Sequence, residues 1–196
     1  MTIVYDYFGS LYMNLTNKCP CRCEFCIRNQ TDGLGTADSL FLDREPSVDE
    51  VMAELEKWDP AKYSELVFCG YGEPTERLDD LLETARRIKS KYGSYIRINT
   101  NGLSDLINDC ETAPLLKGLI DSVSVSMNEA DEEKYLTLCH PRYGRGSYDA
   151  MIRFLTDIRE YVPDVACSVV GSWITEESIE GCRQKAQQLG VEFKVR

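Results

Sequence analysis

Four cysteines lie within residues 19–26, which read Cys-Pro-Cys-Arg-Cys-Glu-Phe-Cys. Three of them, Cys19, Cys23 and Cys26, are separated first by three residues and then by two. Spacings this short let one loop wrap its thiolates around a single metal centre. Structural zinc normally takes four protein ligands, whereas a four-iron cluster held by three cysteines leaves one iron open to another molecule. The spacing therefore predicts a metal centre, and three thiolates favour an iron–sulfur cluster over structural zinc.

Cys21 leaves the ligand set open. It could act as a fourth thiolate, but Cys19, Cys21 and Cys23 alternate so closely that ligation of one ion by all three would strain the loop. A small zinc knuckle, or reduced thiols without a ligand role, is the alternative interpretation, although no second close cysteine pair elsewhere completes a zinc site. The other cysteines have no ligand spacing and are expected to be reduced and mostly buried. They are Cys69, Cys110, Cys139, Cys167 and Cys182.

Three polar motifs follow predicted strands. Residues 70–74 read Gly-Tyr-Gly-Glu-Pro, where glycines let the backbone approach a ligand closely and a carboxylate can accept from an ammonium group. A dinucleotide-binding fingerprint is excluded because Thr75 stands where its third glycine is required. Residues 99–102 read Asn-Thr-Asn-Gly, and hydroxyls alternate with apolar side chains in residues 124–128. Polar ends on apolar strands favour a binding site over a core.

A resemblance becomes specific at the cysteine loop. The pattern Cys19-x-x-x-Cys23-x-Phe25-Cys26, directly after a predicted strand, resembles the signature of radical S-adenosylmethionine (SAM) enzymes. The resemblance implies that Cys19, Cys23 and Cys26 hold a [4Fe–4S] cluster whose open iron binds the amino and carboxylate groups of SAM. It also implies that Phe25 packs near the adenine.

The other motifs fit the same resemblance. Residues 70–74 are similar to the family's "GGE" motif, which binds the methionine amino group, with Gly72 and Glu73 matching best and Tyr71 replacing a glycine. Residues 99–102 resemble its "TNG" turn, and Asn128 stands where the family commonly has aspartate after the fourth strand. The SAM-site residues implied by the resemblance are Phe25, Gly70, Gly72, Glu73, Pro74, Thr100, Asn101, Ser126 and Asn128.

The match extends beyond these motifs to residues 11–17, 25–29, 67–75 and 96–102, which resemble one small group of radical SAM proteins. That group is associated with TatD-type nucleases and is named for this genomic association. The resemblance implies a minimal radical SAM core with a poorly defined reaction, and a TatD-type nuclease as a partner by genomic association only.

Short β-branched runs alternate with amphipathic stretches along the chain. This alternation predicts a parallel sheet with right-handed crossovers, so that the functional loops meet at the carboxyl ends of the strands. We predict a single α/β domain over residues 1–196, a partial (β/α)6 TIM-like barrel, with a doubly wound sheet as the alternative. The predicted strands are 11–16, 65–69, 95–99, 122–127, 165–170 and 191–195, and the predicted helices are 47–58, 78–92, 131–138, 147–161 and 176–189, with 106–119 broken at Pro114.

Composition narrows the functional classes. The 196 residues carry a formal net charge of −11, and 43% are hydrophobic, which fits a globular protein without a basic footprint for nucleic acid. Neither a membrane span nor a signal peptide is visible, so we expect a reducing, cytoplasmic location without disulfides. The only histidine, His140, lies beside Arg142 and Arg145, where a surface loop is favoured over an anion-binding site.

The resemblance implies an enzyme that reductively cleaves SAM and abstracts hydrogen from an unidentified substrate. It would take electrons from a one-electron reductant such as flavodoxin or ferredoxin. Two substrate classes remain open: a large partner that closes the barrel mouth, as for the activating enzymes of glycyl-radical proteins, or a small molecule covered by residues 29–46 as a lid. A non-enzymatic zinc or redox-sensing module is the alternative from another class.

Overall fold

A sheet of seven strands forms the frame of the protein, and six α-helices connect or flank them. The computed structural model describes residues 1–196 without a gap. The strands are β1 (Val4–Tyr7), β2 (Ser10–Met13), β3 (Leu66–Phe68), β4 (Ile96–Thr100), β5 (Ser122–Ser126), β6 (Asp164–Val169) and β7 (Glu192–Val195). The helices are α1 (Val48–Glu56), α2 (Leu78–Tyr92), α3 (Ser104–Asn108), α4 (Glu132–Cys139), α5 (Ser147–Asp157) and α6 (Glu176–Leu189).

The strands stand in sequence order from β1 to β7, and β2 to β7 are parallel. Because parallel crossovers are right-handed, this order places every crossover helix on the same face of the sheet. A doubly wound sheet would instead reverse its strand order at a switch point. The sheet therefore curves as a partial barrel with an open side between β1 and β7, as predicted.

The two faces of the sheet differ in polarity. On β4, Ile96 and Ile98 are buried towards the helices, whereas Arg97 and Asn99 point into the barrel. On β5, Val123 and Val125 join the same apolar core, and the serines of residues 122–126 face inwards. The helix side thus carries the hydrophobic core, and the barrel interior is polar.

Local sequence explains where the helices begin and end. The Ser47 hydroxyl accepts from the Glu50 amide while the Glu50 carboxylate accepts from the Ser47 amide, which is a capping box at the start of α1. At the far end of α2, Gly93 adopts a φ of +64°, a conformation that favours glycine. Such caps set the lengths of the helices that hold the loops in place.

The structure adds a strand that the sequence did not predict. β1 pairs antiparallel with β2 through a tight turn at Phe8 and Gly9, so the sheet has seven strands, of which one is antiparallel. Other boundaries shift as well. The strand predicted over 11–16 ends at Met13, and the helix predicted over 147–161 ends at Asp157 and continues as a 3₁₀ turn.

Residues 31–43, part of the predicted lid, are packed down rather than free. The Thr36 amide donates to the Asp6 carbonyl at 3.0 Å, and the Asn14 side chain donates to the Leu40 carbonyl at 2.7 Å. The Leu40 side chain is fully buried. Gly35 has a φ of +58°, and a Cβ there would collide with the Asp6 carbonyl. These contacts tie the segment to the β1–β2 hairpin, so closure as a lid would have to break them.

None of the helices combines the length and the apolar character needed to cross a membrane.

Candidate functional site

One cavity at the carboxyl ends of the strands gathers the loops singled out by sequence. The loop after β2 brings the cysteines, and the turns after β3, β4 and β5 bring the polar motifs. Of the predicted site residues, only Pro74 does not line the cavity; it is buried at the start of a 3₁₀ turn. The lining residues are Cys19, Cys21, Cys23, Phe25, Cys26, Cys69, Gly70, Tyr71, Gly72, Glu73, Asn99, Thr100, Asn101, Ser126, Asn128, Tyr135, Cys139 and Arg196.

Main-chain hydrogen bonds hold the cysteine loop in place. The amides of Arg22 and Glu24 donate to the carbonyls of Cys139 and Leu138, both at 3.0 Å. The Cys26 amide donates back to the Cys23 carbonyl at 3.1 Å, which makes a turn within the loop. The loop is thus anchored to the last residues of α4, although α4 lies more than a hundred positions further along the chain.

The neighbouring turn supports the same loop from the other side. A Cβ on Gly72 would collide with the Thr16 carbonyl, so only glycine allows this close approach. Directly after it, the Glu73 amide donates to the Lys18 carbonyl at 2.8 Å. The glycine of this motif therefore serves chain-to-chain packing beside Cys19.

The thiols of the cluster differ in their surroundings. The Cys23 thiol donates to the Cys139 carbonyl at 3.7 Å. Hydrogen bonding with neighbouring thiols lowers the pKa of Cys19 and Cys23 and raises that of Cys21, whereas burial raises the pKa of Cys26. Cys21 is buried, and the other three cysteines of the loop are partly exposed.

The residues present fit an iron–sulfur cluster and a ligand bound to it. All nine cysteines are free thiols, and the sulfurs of the loop are soft ligands of the kind that such clusters take. No set of three His, Cys, Asp or Glu side chains converges closely enough to hold one metal ion. The cysteines instead line the wall of the cavity, and two polar atoms beside them, described below, have no partner.

Glu73 is a buried carboxylate that ties two strand ends together. Its Oε1 accepts from the hydroxyls of Thr75 at 2.8 Å and Thr100 at 2.7 Å, and its Oε2 accepts from the Asn101 amide at 2.7 Å. Burial raises its pKa, and these hydrogen bonds partly oppose the effect. Oε2 has a single donor, which leaves it able to accept one more, for example from an ammonium group.

Asn101 links this network to the cysteine loop. Its side-chain amide points at the Cys19 sulfur with a separation of 3.8 Å, and its Oδ1 accepts from the Leu103 amide at 2.9 Å. A donor aimed at a ligand sulfur is an interaction that tunes the potential of an iron–sulfur cluster. The predicted turn is therefore in contact with the predicted metal ligands.

Asn128 has two unusual features. It adopts a φ of +61°, which is uncommon for a residue other than glycine, and it is almost fully buried. Its amide nitrogen donates to the Ser126 carbonyl at 3.2 Å and to the Cys139 sulfur at 3.5 Å, but its Oδ1 has no partner. A strained residue with an unpaired acceptor at a cavity is typical of a ligand-binding position.

Sequence reasoning missed Tyr135, Cys139 and Arg196 as parts of the site. The Tyr135 hydroxyl is buried without a partner, and burial, followed by the nearby thiols, raises its pKa. Cys139 was expected to be an ordinary buried thiol. No spacing in the sequence links these residues to the cysteine loop, because each reaches the cavity from a distant element.

The loop around His140 is a charged surface, as the sequence favoured. His140 lies 3.3 Å from a Glu24 carboxylate oxygen, Arg142 pairs with Glu76, and Arg145 pairs with Glu133. No part of this loop lines the cavity.

Comparison with solved structures shows which fold this is. SuiB from Streptococcus suis, bound to its precursor peptide SuiA, superposes with a TM-score of 0.72 at 16% identity over 98% of this chain and 40% of its own. SuiB bound to SAM gives a TM-score of 0.71 at 16% identity, covering 96% of this chain and 40% of its own. Methylornithine synthase gives 0.69 at 17% identity, covering 97% and 55%.

Sequence comparison points the same way. A curated relative from Pyrococcus furiosus, the tungsten-containing aldehyde ferredoxin oxidoreductase cofactor-modifying protein, is 27% identical over 184 residues. The alignment covers 91% of this chain but only 47% of that relative, so the chain spans about half the relative's length. The family model of the radical SAM superfamily matches residues 13–185, from the end of β2 into α6. The chain therefore belongs to the radical SAM superfamily.

Proposed function

We propose that the protein is a radical SAM enzyme whose reaction takes place in the cavity at the carboxyl ends of the strands. The observation that carries the proposal is the convergence, in one cavity, of the three-cysteine loop, the Glu73 network and the unpaired Asn128 oxygen. The superfamily uses a [4Fe–4S] cluster and SAM. Bound together, these cofactors supply one-electron cleavage of SAM to methionine and a 5′-deoxyadenosyl radical that abstracts hydrogen from a substrate.

The thiolates of Cys19, Cys23 and Cys26 would hold the cluster. Cys21 and Cys139 line the same cavity but stay outside the ligand set. The Asn101 side-chain amide, which points at the Cys19 sulfur, would stabilise the more negative, reduced cluster and so raise its potential. The loop is well suited to this role because its main chain is anchored to α4.

The remaining polar groups would bind SAM. Glu73 Oε2 keeps a free lone pair for the methionine ammonium group, and Asn128 Oδ1 is an unused acceptor for a donor of the ligand. Phe25 lies in the cavity wall, where it can pack against the adenine. Gly70, Gly72, Thr100, Asn101 and Ser126 shape the surrounding wall, while Pro74 supports it from behind by starting the turn that follows Glu73.

Two classes of substrate are compatible with the relatives of this chain. SuiB has been solved with a precursor peptide, and the curated relative is described as a cofactor-modifying protein, so both a peptide and a small molecule fit relatives of this chain. We propose a one-electron donor such as flavodoxin or ferredoxin as the redox partner. The narrower assignment, to the radical SAM proteins that are associated with TatD-type nucleases, rests on the sequence resemblance alone. Because an open iron site is lost to oxygen, the protein would work in a reducing compartment.

Metal analysis tests the proposal against a zinc or redox-sensing module. Protein purified without oxygen should contain about four iron and four sulfide per chain, as one cubane requires. With SAM and a strong reductant it should form 5′-deoxyadenosine. One equivalent of zinc, together with no cleavage of SAM, would show that the proposal is wrong.

A further inference from the structure

One buried hydroxyl group beside the cysteine loop has no partner in the chain. The Tyr135 side chain is 1% exposed and lines the same cavity as the four clustered cysteines. Its hydroxyl makes no hydrogen bond with any other group of the protein. Because a buried polar group without a partner is costly, such a group in the wall of a cavity indicates a partner that binds there.

The helix that carries Tyr135 also holds the cysteine loop. The carbonyls of Leu138 and Cys139, in the last turn of α4, accept from the amides of Glu24 and Arg22, both at 3.0 Å. Tyr135 lies four positions before Cys139, so the two side chains share one face of the helix. These main-chain hydrogen bonds fix the position of Tyr135 relative to the loop that carries the proposed ligand sulfurs.

A second aromatic ring supports Tyr135. The ring centroids of Tyr135 and Tyr148 lie 5.5 Å apart, and the two rings are inclined at 59°. The Tyr148 hydroxyl donates to the Ala130 carbonyl at 2.6 Å, which holds this second ring in place. Of the two tyrosines, only Tyr135 lines the cavity, and only its hydroxyl lacks a partner. The missing partner is therefore a property of the cavity and not of the packing between the rings.

The titratable groups closest in effect to the Tyr135 hydroxyl are sulfurs. After burial, the largest causes that raise the pKa of Tyr135 are four thiols, those of Cys21, Cys139, Cys23 and Cys19. The Glu73 carboxylate, which we propose as the partner of the SAM ammonium group, is not among these causes. A phenol donates a hydrogen bond, and a sulfur that carries negative charge accepts more strongly than a neutral thiol. The hydroxyl thus lies on the side of the cavity where the cluster would be held.

We propose that the Tyr135 hydroxyl donates a hydrogen bond to a sulfur of the iron–sulfur cluster, either a ligand thiolate or a bridging sulfide. This inference rests on the proposed function and adds a positioning residue to its site. A donor to these sulfurs stabilises the more negative, reduced cluster, so Tyr135 raises the reduction potential and makes the cluster easier to reduce. The other acceptor that could reach the same cavity is SAM, and the experiment separates the two.

The test compares reconstituted, anaerobic wild type with Tyr135→Phe and with the matched control Tyr148→Phe. Each substitution removes one hydroxyl and keeps the ring, but the Tyr148 hydroxyl already donates to Ala130 and does not line the cavity. The reduction potential of the cluster is titrated without SAM and then with saturating SAM. Electron–nuclear double resonance of the reduced cluster, recorded in H2O and in D2O, counts the exchangeable protons that couple to it.

Without SAM, the equilibrium constant for one-electron reduction should be about tenfold smaller in Tyr135→Phe than in wild type, which corresponds to about 59 mV. Tyr148→Phe should differ from wild type by less than twofold. One exchangeable proton coupling should be present in wild type and Tyr148→Phe and absent from Tyr135→Phe. All three proteins should bind the same amount of iron.

An unchanged potential or an unchanged set of exchangeable protons in Tyr135→Phe would overturn the inference. So would an equal shift of the potential in Tyr148→Phe, since this would trace the effect to repacking of the rings. A difference that arises only after SAM is added would assign the hydroxyl to SAM instead. Failure of Tyr135→Phe alone to assemble the cluster would also overturn it, because the hydroxyl would then have a structural role.

Iron content and cleavage of SAM are measured on the same samples. If the wild type has neither cluster nor cleavage, the proposed function is wrong. If both are present and the potential does not depend on the Tyr135 hydroxyl, the role of Tyr135 alone is wrong.

Discussion

Among the four clustered cysteines, the structure gives Cys21 a role different from that of its neighbours. Cys21 is buried, whereas Cys19, Cys23 and Cys26 are partly exposed. A thiol packed away from solvent is less accessible to a cluster than its exposed neighbours. The sequence left this question open, and the burial of Cys21 favours a three-thiolate set.

Paired substitutions test the ligand set at this scale. Cys23→Ala should abolish iron binding and cleavage of SAM, because it removes a ligand, whereas Cys21→Ala should keep both. Iron and sulfide content and the visible absorption of the reconstituted protein measure the difference. The reverse result, a cluster in Cys23→Ala but not in Cys21→Ala, would reassign the ligands.

A second prediction concerns two tyrosines whose rings lie 5.5 Å apart. The Tyr135 hydroxyl is buried without a partner, whereas the Tyr148 hydroxyl donates to the Ala130 carbonyl at 2.6 Å. An unpaired buried polar group costs about 1–3 kcal/mol. Tyr135→Phe should therefore raise the free energy of unfolding of the cluster-free protein by about 1 kcal/mol, and Tyr148→Phe should lower it by about 1 kcal/mol.

Urea unfolding of the two variants provides the comparison, each serving as the control for the other. Destabilisation by Tyr135→Phe as large as that by Tyr148→Phe would show that the Tyr135 hydroxyl has a partner in solution.

At the scale of elements, a short sequence motif caps the start of α1. Ser47 and Glu50 form a capping box, and Glu50 also pairs with Arg44. Directly before this cap, the Pro46 carbonyl accepts from the Arg77 side chain at 2.6 Å, which ties the start of α1 to the turn that follows Glu73. The local sequence thus sets where the helix begins, and tertiary contacts fix the position of that end in the fold.

The contribution of Glu50 to the stability of the fold should decrease as pH falls. Hydrogen bonds from Arg44 and from the Ser47 amide lower the pKa of Glu50 from 4.5 to about 2. A carboxylate whose pKa is lower in the folded state stabilises the fold fully above its unfolded pKa and loses that contribution as pH falls towards the folded value. Wild type should therefore unfold at a higher temperature than Glu50→Gln at neutral pH, and the difference should disappear as pH falls from 4.5 to about 2.

Thermal unfolding followed by circular dichroism across this range measures the effect. Glu177→Gln, at an exposed residue in the first turn of α6, is the control and should show a smaller dependence on pH. A difference between wild type and Glu50→Gln that stays constant with pH would contradict the assignment.

At the scale of the whole molecule, the question is what covers the mouth of an open barrel. Residues 29–46 were predicted as a lid, but residues 31–43 are bonded to Asp6 of β1 and to Asn14 directly after β2. The Tyr71 hydroxyl also donates to the Thr31 carbonyl, which ties this segment to the turn after β3. The segment is thus tied down on two sides and does not fold freely over the cavity.

Hydrogen exchange distinguishes a fixed segment from a lid that opens and closes. The amides of Thr36, Leu40 and Leu42 all donate to protein acceptors, so they should exchange as slowly as amides in the outer strands of the sheet. Gly35→Ala, which forces a Cβ against the Asp6 carbonyl, should speed their exchange at least tenfold. As a control, Gly118→Ala, at a turn where nothing crowds a Cβ, should leave these amides unchanged. Rapid exchange of all three amides in wild type would restore the interpretation as a lid.

The sequence by itself determined the features that depend on neighbouring residues. The spacing of Cys19, Cys23 and Cys26, the alternation along β4 and β5, and the capping box at Ser47 are all encoded within a few positions, because helix and strand periods and loop ligation are local properties. The order of strands and helices followed from them. The sequence resemblance added the partial barrel and the radical SAM superfamily, both of which the comparisons confirm.

Only the tertiary structure decided which distant groups meet. Cys139 contacts Cys23 although 116 positions of sequence separate them, and Arg196 contacts Ser126 although 70 positions separate them. β1 joined the sheet because its four residues pair with β2, a partner that no period in so short a run specifies. Such contacts depend on the curvature of the sheet and on the register of its strands, which are set by packing of the whole chain.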